Sequence, residues 1–437
     1  MVNIKRIRER LPGTVGEVAY DSIWTLAFEA FLIISVTASF MMLGSELGPA
    51  GYGEYVGLFA IITPVSAIGS AASLATLQAC FQEQRDVQLV VNVFLTVVLL
   101  GGALATVVVA IVAPLILDEL SMTSIVAIAI GELVFLPIVR VSAGAIRALH
   151  GVPMATRTEL TVLVAKFVAL TGLFFVGELT VQNLAIGWFI ASAMVVCYVV
   201  FFRLRGFGIV AKPSSVSMRD IRMVFALGAP MYISDFQTNG DKVVLNGAGL
   251  QAEAGLYGAA FRVATLATTP LRAMDIAIFH RILEHDDNER GVHLRRARKY
   301  ATWALGVVIP IGLVLLLAAP ILPLLVGDKF DGSVEMIRWL VLWLPFKTIA
   351  QPPLAGLLGL GRLGVRLMIL CTTAALSMTL YLVLIPDMGW EGAVIGTIVA
   401  EVALAALGWV ALIWAQGKRD AELALHAALP GEPSFSG

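Results

Sequence analysis

Ionisable side chains interrupt the long apolar runs of this sequence, and their types suggest that they bind an anion. In a membrane, a charge at depth costs about 2.5–3.5 kcal/mol on insertion scales, so each is expected to face a bundle interior or a water-filled cavity. Arg grips a phosphate or pyrophosphate through paired hydrogen bonds, and Lys attracts it as a point charge. The cations that the sequence predicts for an anionic group are Lys166, Lys242, Arg262 and Lys347.

Acids share these apolar runs, and their spacing limits which ion pairs are possible. Glu159 lies seven residues before Lys166, and Asp235 lies seven residues before Lys242. Seven residues is close to two helical turns, so each pair shares a face but is roughly 10 Å apart. We therefore expect each of these residues to find a partner on another helix, in water or in a ligand. The acids predicted to line the same cavity, or to couple transport to an ion, are Glu29, Asp235 and Asp241.

Three further charges have two open interpretations. Arg272 and Asp275 are three residues apart and can pair on their own helix, as a structural clasp or as part of a site. Arg140 lies about two turns from a basic loop, so snorkelling explains it as well as function does. If Arg140 only snorkels, replacing it should matter less than replacing Lys242, Arg262 or Lys347.

The elements that must position these residues are membrane-spanning helices. The chain is 59% hydrophobic and 14% charged, with a mean hydropathy of +0.88. A membrane helix needs about 20 apolar residues. Windows of that length predict an all-α polytopic membrane protein with about twelve spans, at 19–43, 55–79, 88–114, 122–147, 158–177, 181–203, 221–246, 254–280, 300–326, 334–358, 364–386 and 391–416.

The connecting loops predict the orientation. With the N-terminus inside, nearly every Lys and Arg of the loops falls on the cytoplasmic side, and Lys329 is the one cation among the outer loops. An error of one span would destroy this asymmetry. We therefore predict a multi-pass protein of the cytoplasmic membrane with both termini in the cytoplasm.

The chain repeats a motif, which predicts two halves. Gly53-x-Tyr55 follows the first span and Gly255-x-Tyr257 follows the seventh, and two later matches keep the same order with slowly growing offsets. This pattern predicts two six-helix bundles in parallel topology. The predicted parts are a cytoplasmic N-terminus (1–16), an N-terminal bundle (17–204), a cytoplasmic linker (205–220), a C-terminal bundle (221–416) and a disordered cytoplasmic tail (417–437).

Several classes of function lack their sequence signals. The five histidines all fall on the cytoplasmic side without an H-E-x-x-H pattern, and there is no Walker-type loop or aromatic-basic patch for nucleic acid. We therefore predict neither enzymatic activity nor a metal, cofactor or nucleic-acid partner.

Four short stretches resemble a known family: "LGPAGYGEYVGLFAI", "AEAGLYGAAFRV", "AAPILPLLVGDKF" and "GAVIGTIVAEV". They resemble the polysaccharide transporter (O-antigen flippase-like) branch of the multidrug/oligosaccharidyl-lipid/polysaccharide (MOP) flippase superfamily. The resemblance implies a V-shaped pair of six-helix bundles around a central cavity that opens to each membrane face in turn. The implied cargo is a polyprenyl-linked oligosaccharide moved to the outer leaflet for surface polysaccharide or glycoprotein assembly.

The same resemblance implies roles and partners. Lys242, Arg262 and Lys347 map to cavity cations that engage the lipid-linked phosphate, and the expected partners are the lipid-linked oligosaccharide, membrane lipids and glycan assembly enzymes. The first span carries Asp21 and Glu29 instead of an Arg cluster, which makes a peptidoglycan precursor a poorer candidate. The alternatives are a multidrug or small-molecule exporter of the same superfamily, a membrane-embedded glycan polymerase, and a scaffold for a glycan assembly complex.

Overall fold

The computed structural model describes residues 15–117, 119–269 and 291–428, and in these ranges the chain forms helices and short connections without a strand. The α-helices are α1 Val15–Phe81, α2 Val87–Val112, α3 Met122–Ile130, α4 Leu136–His150, α5 Val152–Val176, α6 Val181–Tyr198, α7 Met218–Gly247, α8 Gln251–Ala267, α9 Val292–Ala318, α10 Ile321–Val326, α11 Gly332–Val341, α12 Trp343–Gly359, α13 Leu363–Met388 and α14 Trp390–Ala428.

The predicted membrane spans fall on these helices. Within the described residues, eight helices are long and apolar enough to cross a membrane. The predicted span 254–280 follows α8 to Ala267, and its end lies outside the described residues. An all-α polytopic membrane fold is therefore confirmed, and the count of twelve spans stays a prediction.

Helix α1 contains two predicted spans because it bends sharply between them. At Gly48 the backbone has φ 65° and ψ −178°, which is not helical, and Pro49 follows. Glycine adopts a positive φ without a steric penalty, and proline disfavours a helical residue before it. The spans predicted at 19–43 and 55–79 are thus the two arms of α1.

Two π-helical turns widen the helices of the N-terminal half. Gly131–Phe135 joins α3 to α4, and Val199–Leu204 extends α6. A π turn adds a residue to one helical turn and re-aims the side chains beside it. These turns carry Glu132 and Arg203, both of which contact neighbouring helices.

The described chain divides into two compact units. The first comprises residues up to 258 with 323–330, and the second comprises 259–322 and 331–437. In the first unit, Ala71, Ala75 and Ala79 of α1 are fully buried in a core that also includes Val90 and Phe94 of α2. Small side chains at helix spacing let membrane helices approach closely.

The boundary between the two compact units is defined by packing, whereas the predicted linker between the two bundles, 205–220, is placed from the repeated motif. Helix α7 follows that linker in sequence but packs extensively on α1, within the first unit. The two predicted six-helix bundles stay a prediction.

The tail differs from the prediction, because α14 continues to Ala428 and residues 417–428 are helical rather than disordered. Asp420 in this extension accepts a hydrogen bond from the Gly291 amide at 3.0 Å, which ties it to the start of α9.

The two copies of the repeated motif contact each other within the first unit. A Cβ on Gly53 would lie 1.8 Å from the Gln251 carbonyl oxygen, and a Cβ on Gly255 would lie 1.9 Å from the Pro49 carbonyl oxygen. The contact is reciprocal, since each glycine meets the residue four positions before the other, as in a two-fold interface. Only glycine permits this approach of two helix backbones.

Candidate functional site

Charged residues of α4, α5 and the π turn before α4 form a row inside the first unit. We call Glu132, Arg140, Arg147, Glu159 and Lys166 the charge row. Lys166 Nζ donates to Glu132 Oε1 at 2.5 Å, and Arg147 Nη2 donates to Glu159 Oε1 at 3.3 Å. As predicted from the seven-residue spacing, Glu159 and Lys166 pair with other helical segments and not with each other.

Aromatic side chains surround the Lys166–Glu132 end of the charge row. The Lys166 ammonium lies 5.5 Å from the centroid of the Trp188 ring, and Trp188 Nε1 donates to the Lys166 carbonyl oxygen at 3.1 Å. Tyr55 and Phe59 pack against the same indole, with centroids 6.2 and 5.9 Å away. The ring face favours a cation, so this end of the row is built to hold the lysine side chain in one position.

Arg140 lies between Glu132 and Arg147 in the charge row, and in the part of the chain that the structure describes it forms no ion pair with a carboxylate. Among the described residues, its hydrogen bond is to the Ser70 hydroxyl of α1, donated by Nη1 at 2.9 Å. The acids near enough for their charge to act on Arg140 are Glu132, Glu159 and Asp235. A guanidinium has five N–H donors. The remaining donors of Arg140 suit an anionic ligand.

Sequence reasoning left Arg140 open between snorkelling and function. Its spacing was the signal that could have found it, since it lies eight residues after Glu132 and seven before Arg147 and therefore shares their helix face. The Ser70 partner carries no comparable signal in the sequence, because hydroxyls are common in membrane helices and bond their own backbone.

Lys242 forms a closed network in the first unit. Its ammonium donates to Asp241 Oδ1 and to the Thr238 carbonyl oxygen, both at 2.8 Å, and Tyr257 donates its hydroxyl to Asp241 Oδ2 at 2.7 Å. Asp241, Lys242 and Tyr257 are all buried. Lys242 takes its carboxylate from its sequence neighbour, and its ammonium also lies 5.4 Å from the centroid of the Tyr257 ring on α8. Asn246 extends the network by donating to the Gly53 and Lys242 carbonyl oxygens.

The second unit places Lys347 beside an acid. Lys347 Nζ donates to Glu401 Oε1 at 3.0 Å and lies 5.8 Å from the centroid of Trp343. Glu401 is buried, whereas the Lys347 side chain is 27% exposed. Arg262 is half-buried on α8.

The other predicted site residues have different surroundings. Glu29 is exposed on α1, and Asp235 is half-buried on α7. The predicted clasp, Arg272 and Asp275, lies outside the described residues. In the ranges that the structure describes, no group of three or more His, Cys, Asp or Glu side chains is arranged to hold a metal ion.

The fold is that of MOP-superfamily transporters. A MOP superfamily transporter from Pyrococcus furiosus, described with a binding pocket of reverse polarity that suggests a different function, is 15% identical, with a TM-score of 0.63 over 92% of this chain and 95% of that chain. An inward-facing multidrug resistance MATE family transporter is 15% identical, with a TM-score of 0.68 over 91% of this chain and 96% of that chain.

A third similar solved structure contains a bound small molecule. A MATE multidrug transporter bound to R6G is 15% identical, with a TM-score of 0.67 over 92% of this chain and 96% of that chain. No family model matches the chain, and no curated protein matches it by sequence. At these identities the likeness shows the fold, so the chain is a multi-pass membrane protein with a transporter fold.

Proposed function

We propose that this protein is a flippase that moves a polyprenyl-linked oligosaccharide from the cytoplasmic to the outer leaflet by alternating access. The transporter fold supports the transport of a substrate across the membrane. The choice of an anionic cargo rests on Arg140. Its guanidinium is embedded in the membrane, and its described hydrogen bond is to the neutral hydroxyl of Ser70. A pyrophosphate linker would supply a negatively charged acceptor, which the Ser70 hydroxyl does not.

Within this proposal the predicted cations have different roles. Arg140 and Lys166 bind the anionic group in the first unit, with Glu132 holding Lys166 in place until the cargo arrives. Lys347 and Arg262 are proposed for the same role in the second unit, where the Lys347 side chain is partly exposed beside Glu401. Lys242, with its ammonium already bonded to Asp241 and the Thr238 carbonyl, is proposed to stabilise the fold instead.

The protein is proposed to act in the cytoplasmic membrane, with both termini inside, beside the enzymes that assemble the glycan. It needs no cofactor in this role, because the cargo is translocated without covalent change.

A multidrug exporter is the second candidate, and a specific observation favours it. Lys166 and Lys347 each have an acid partner, and aromatic rings surround Lys166. An organic cation would be attracted to Glu132 and Glu401 and would stack on such rings. The solved multidrug transporters of the same fold are consistent with this candidate.

Export assays on Arg140 variants separate the two candidates. A strain lacking the protein is complemented with wild type, Arg140→Gln or Arg140→Lys, and surface glycan and efflux of the organic cation R6G are measured with protein abundance. We expect Arg140→Gln to lower surface glycan at least tenfold and Arg140→Lys to retain part of it. The control is Arg205→Gln, an exposed arginine near the cytoplasmic end of the same unit. Full glycan export by Arg140→Gln, with normal abundance, would refute the anion site. R6G efflux that increases in Arg140→Gln, which lacks the arginine charge, would favour the exporter.

A further inference from the structure

An extended segment between α6 and α7 lies along one face of α2. We call residues 209–214 the strap. Gln88 on α2 makes two hydrogen bonds to one strap residue: its Nε2 donates to the Val210 carbonyl oxygen at 2.6 Å, and its Oε1 accepts from the Val210 amide at 2.8 Å. These two hydrogen bonds have the donor and acceptor pattern of a residue pair in neighbouring β-strands, with the Gln88 side-chain amide in place of one backbone.

Two further side chains of α2 continue the pattern. The Lys212 amide donates to Asn92 Oδ1 at 3.0 Å, and the Ser214 amide donates to Thr96 Oγ1 at 3.1 Å. Helix α2 therefore contributes every fourth residue and the strap every second one. Four helical residues rise about 6.0 Å and two extended residues about 6.6 Å, so the two repeats remain in step over three contacts.

The donors and acceptors of Thr96 and Pro213 are compatible with these contacts between α2 and the strap. Thr96 donates its hydroxyl to the Asn92 carbonyl oxygen at 2.8 Å, which leaves its lone pairs for the strap. Pro213 lies between two bonded residues and has no N–H that needs an acceptor. The contacts thus satisfy the strap's backbone at alternate positions.

Both ends of the strap are anchored. At its start, Ile209 is buried with Leu204 in the core of the first unit, and the Ile209 amide donates to the Leu204 carbonyl oxygen at 2.9 Å. After it, Ser217 caps α7 in a capping box with Asp220, and Arg85 Nη1 donates to Asp220 Oδ1 at 2.6 Å. The strap is therefore bonded to α2 at residues 210, 212 and 214. Its flanks are held by the core of the first unit and by Arg85, in the connection between α1 and α2.

We propose that the strap keeps the cytoplasmic end of α7 attached to α2 throughout the transport cycle, and that Gln88, Asn92 and Thr96 are positioning residues for this attachment. The loop that joins two repeats is the usual place for a hinge. Here its backbone is bonded at alternate residues and its ends are fixed, so the chain must bend elsewhere. This proposal rests on the proposed transport function.

Hydrogen exchange tests the attachment without any cargo. The amides of Val210, Lys212 and Ser214 should exchange slowly in the full-length protein in nanodiscs. Gln88→Ala, Asn92→Ala and Thr96→Ala should each raise exchange at the amide that loses its acceptor, about fivefold for an ordinary hydrogen bond. Ser215→Ala, at an exposed position next to the strap, is the control and should change nothing. Fast exchange of all three amides in the wild type would overturn the proposal.

A disulfide tests whether the attachment persists during transport. Thr96 and Ser214 suit it, because the short Thr96 side chain reaches the Ser214 amide, which places their α-carbons near the roughly 4.4–6.8 Å that a disulfide spans. Thr96→Cys/Ser214→Cys is made in a chain whose three native cysteines are replaced. We expect complete cross-linking on oxidation and unchanged glycan export.

Export that stops on oxidation and returns on reduction would show that the strap must detach, and incomplete cross-linking would show that it already does. Either result overturns the proposal. Exchange and cross-link yield are read without a cargo, so a wild type that exports no glycan would refute the proposed function while leaving this test intact.

Discussion

The buried pair Asp241–Lys242 allows a prediction that separates a structural role from substrate binding. Asp241→Asn leaves the Lys242 ammonium with the Thr238 carbonyl and a neutral amide as its described acceptors. Lys242 is 4% exposed, so water cannot replace the lost carboxylate. Removing one partner of a buried ion pair typically costs about 3–5 kcal/mol, because it leaves an uncompensated charge. We expect the apparent melting temperature to fall sharply.

Removing the whole network should restore stability. In Asp241→Leu/Lys242→Met neither charge remains, and apolar replacements of similar volume are often neutral or stabilising. The Tyr257 hydroxyl would still lose its acceptor, at a cost of about 1–3 kcal/mol, so Tyr257→Phe is added. The expected order of melting temperature places the triple variant close to wild type, the double variant below it and Asp241→Asn lowest.

The assay is thermal unfolding of detergent-solubilised protein followed by intrinsic fluorescence, together with glycan export in cells. A structural role predicts that the stable triple variant still exports glycan. If Asp241→Asn melts like wild type, the reasoning from burial is wrong. If the triple variant is stable but inactive, Lys242 binds the cargo, as its place in the sequence first predicted.

Three further predictions concern packing, pH and topology. Gly53→Ala and Gly255→Ala should each strongly lower protein abundance in membranes, because the added Cβ meets backbone at under 2 Å; Gly172→Ala, with nothing within 4 Å, is the control and should be tolerated. Burial raises the pKa of Asp220, but hydrogen bonds from Arg85 and Ser217 outweigh it and hold the pKa below its usual value. The stability that Asp220 contributes should therefore be complete above about pH 5 and should decrease as pH falls below about 4. The difference in melting temperature between wild type and Asp220→Asn should be larger at pH 7 than at pH 3.5, and an equal difference at both would contradict this account. Cysteines at the exposed positions Glu46, Glu178 and Asp387 should react with an impermeant thiol reagent from outside intact cells, and one at Ser215 should not; labelling at Ser215 would refute the topology.

The sequence by itself determined the helices. A membrane span must satisfy its own backbone hydrogen bonds and present about 20 apolar residues to lipid, so composition and length alone place it. The parts of the predicted spans that lie in the described residues fall mostly on α-helices for this reason, and eight helices there are long and apolar enough to cross a membrane. The same regularity predicted that Glu159 and Lys166, two turns apart on one helix, must find partners elsewhere, and they pair with Arg147 and Glu132.

Local exceptions were harder to foresee. The helical extension at 417–428 looked polar enough for disorder, but Asp420 ties it to the amide at the start of α9. The strap contains no sequence motif of its own, because its contacts come from Gln88, Asn92 and Thr96, more than a hundred residues earlier.

Only the tertiary structure decided which buried cations are neutralised. Lys242 and Arg140 are both single cations in apolar runs, and the sequence favoured Lys242 for binding. In the structure Lys242 is bonded to a buried carboxylate, whereas Arg140 contacts the neutral hydroxyl of Ser70. Lys242 takes its carboxylate from its sequence neighbour Asp241, which also accepts from Tyr257 on α8, whereas the Arg140 contact depends on the distance between two packed helices. Hydropathy and spacing determine where a helix runs and which face it buries, but the rotamers and interhelical distances that pair its charges are set by packing.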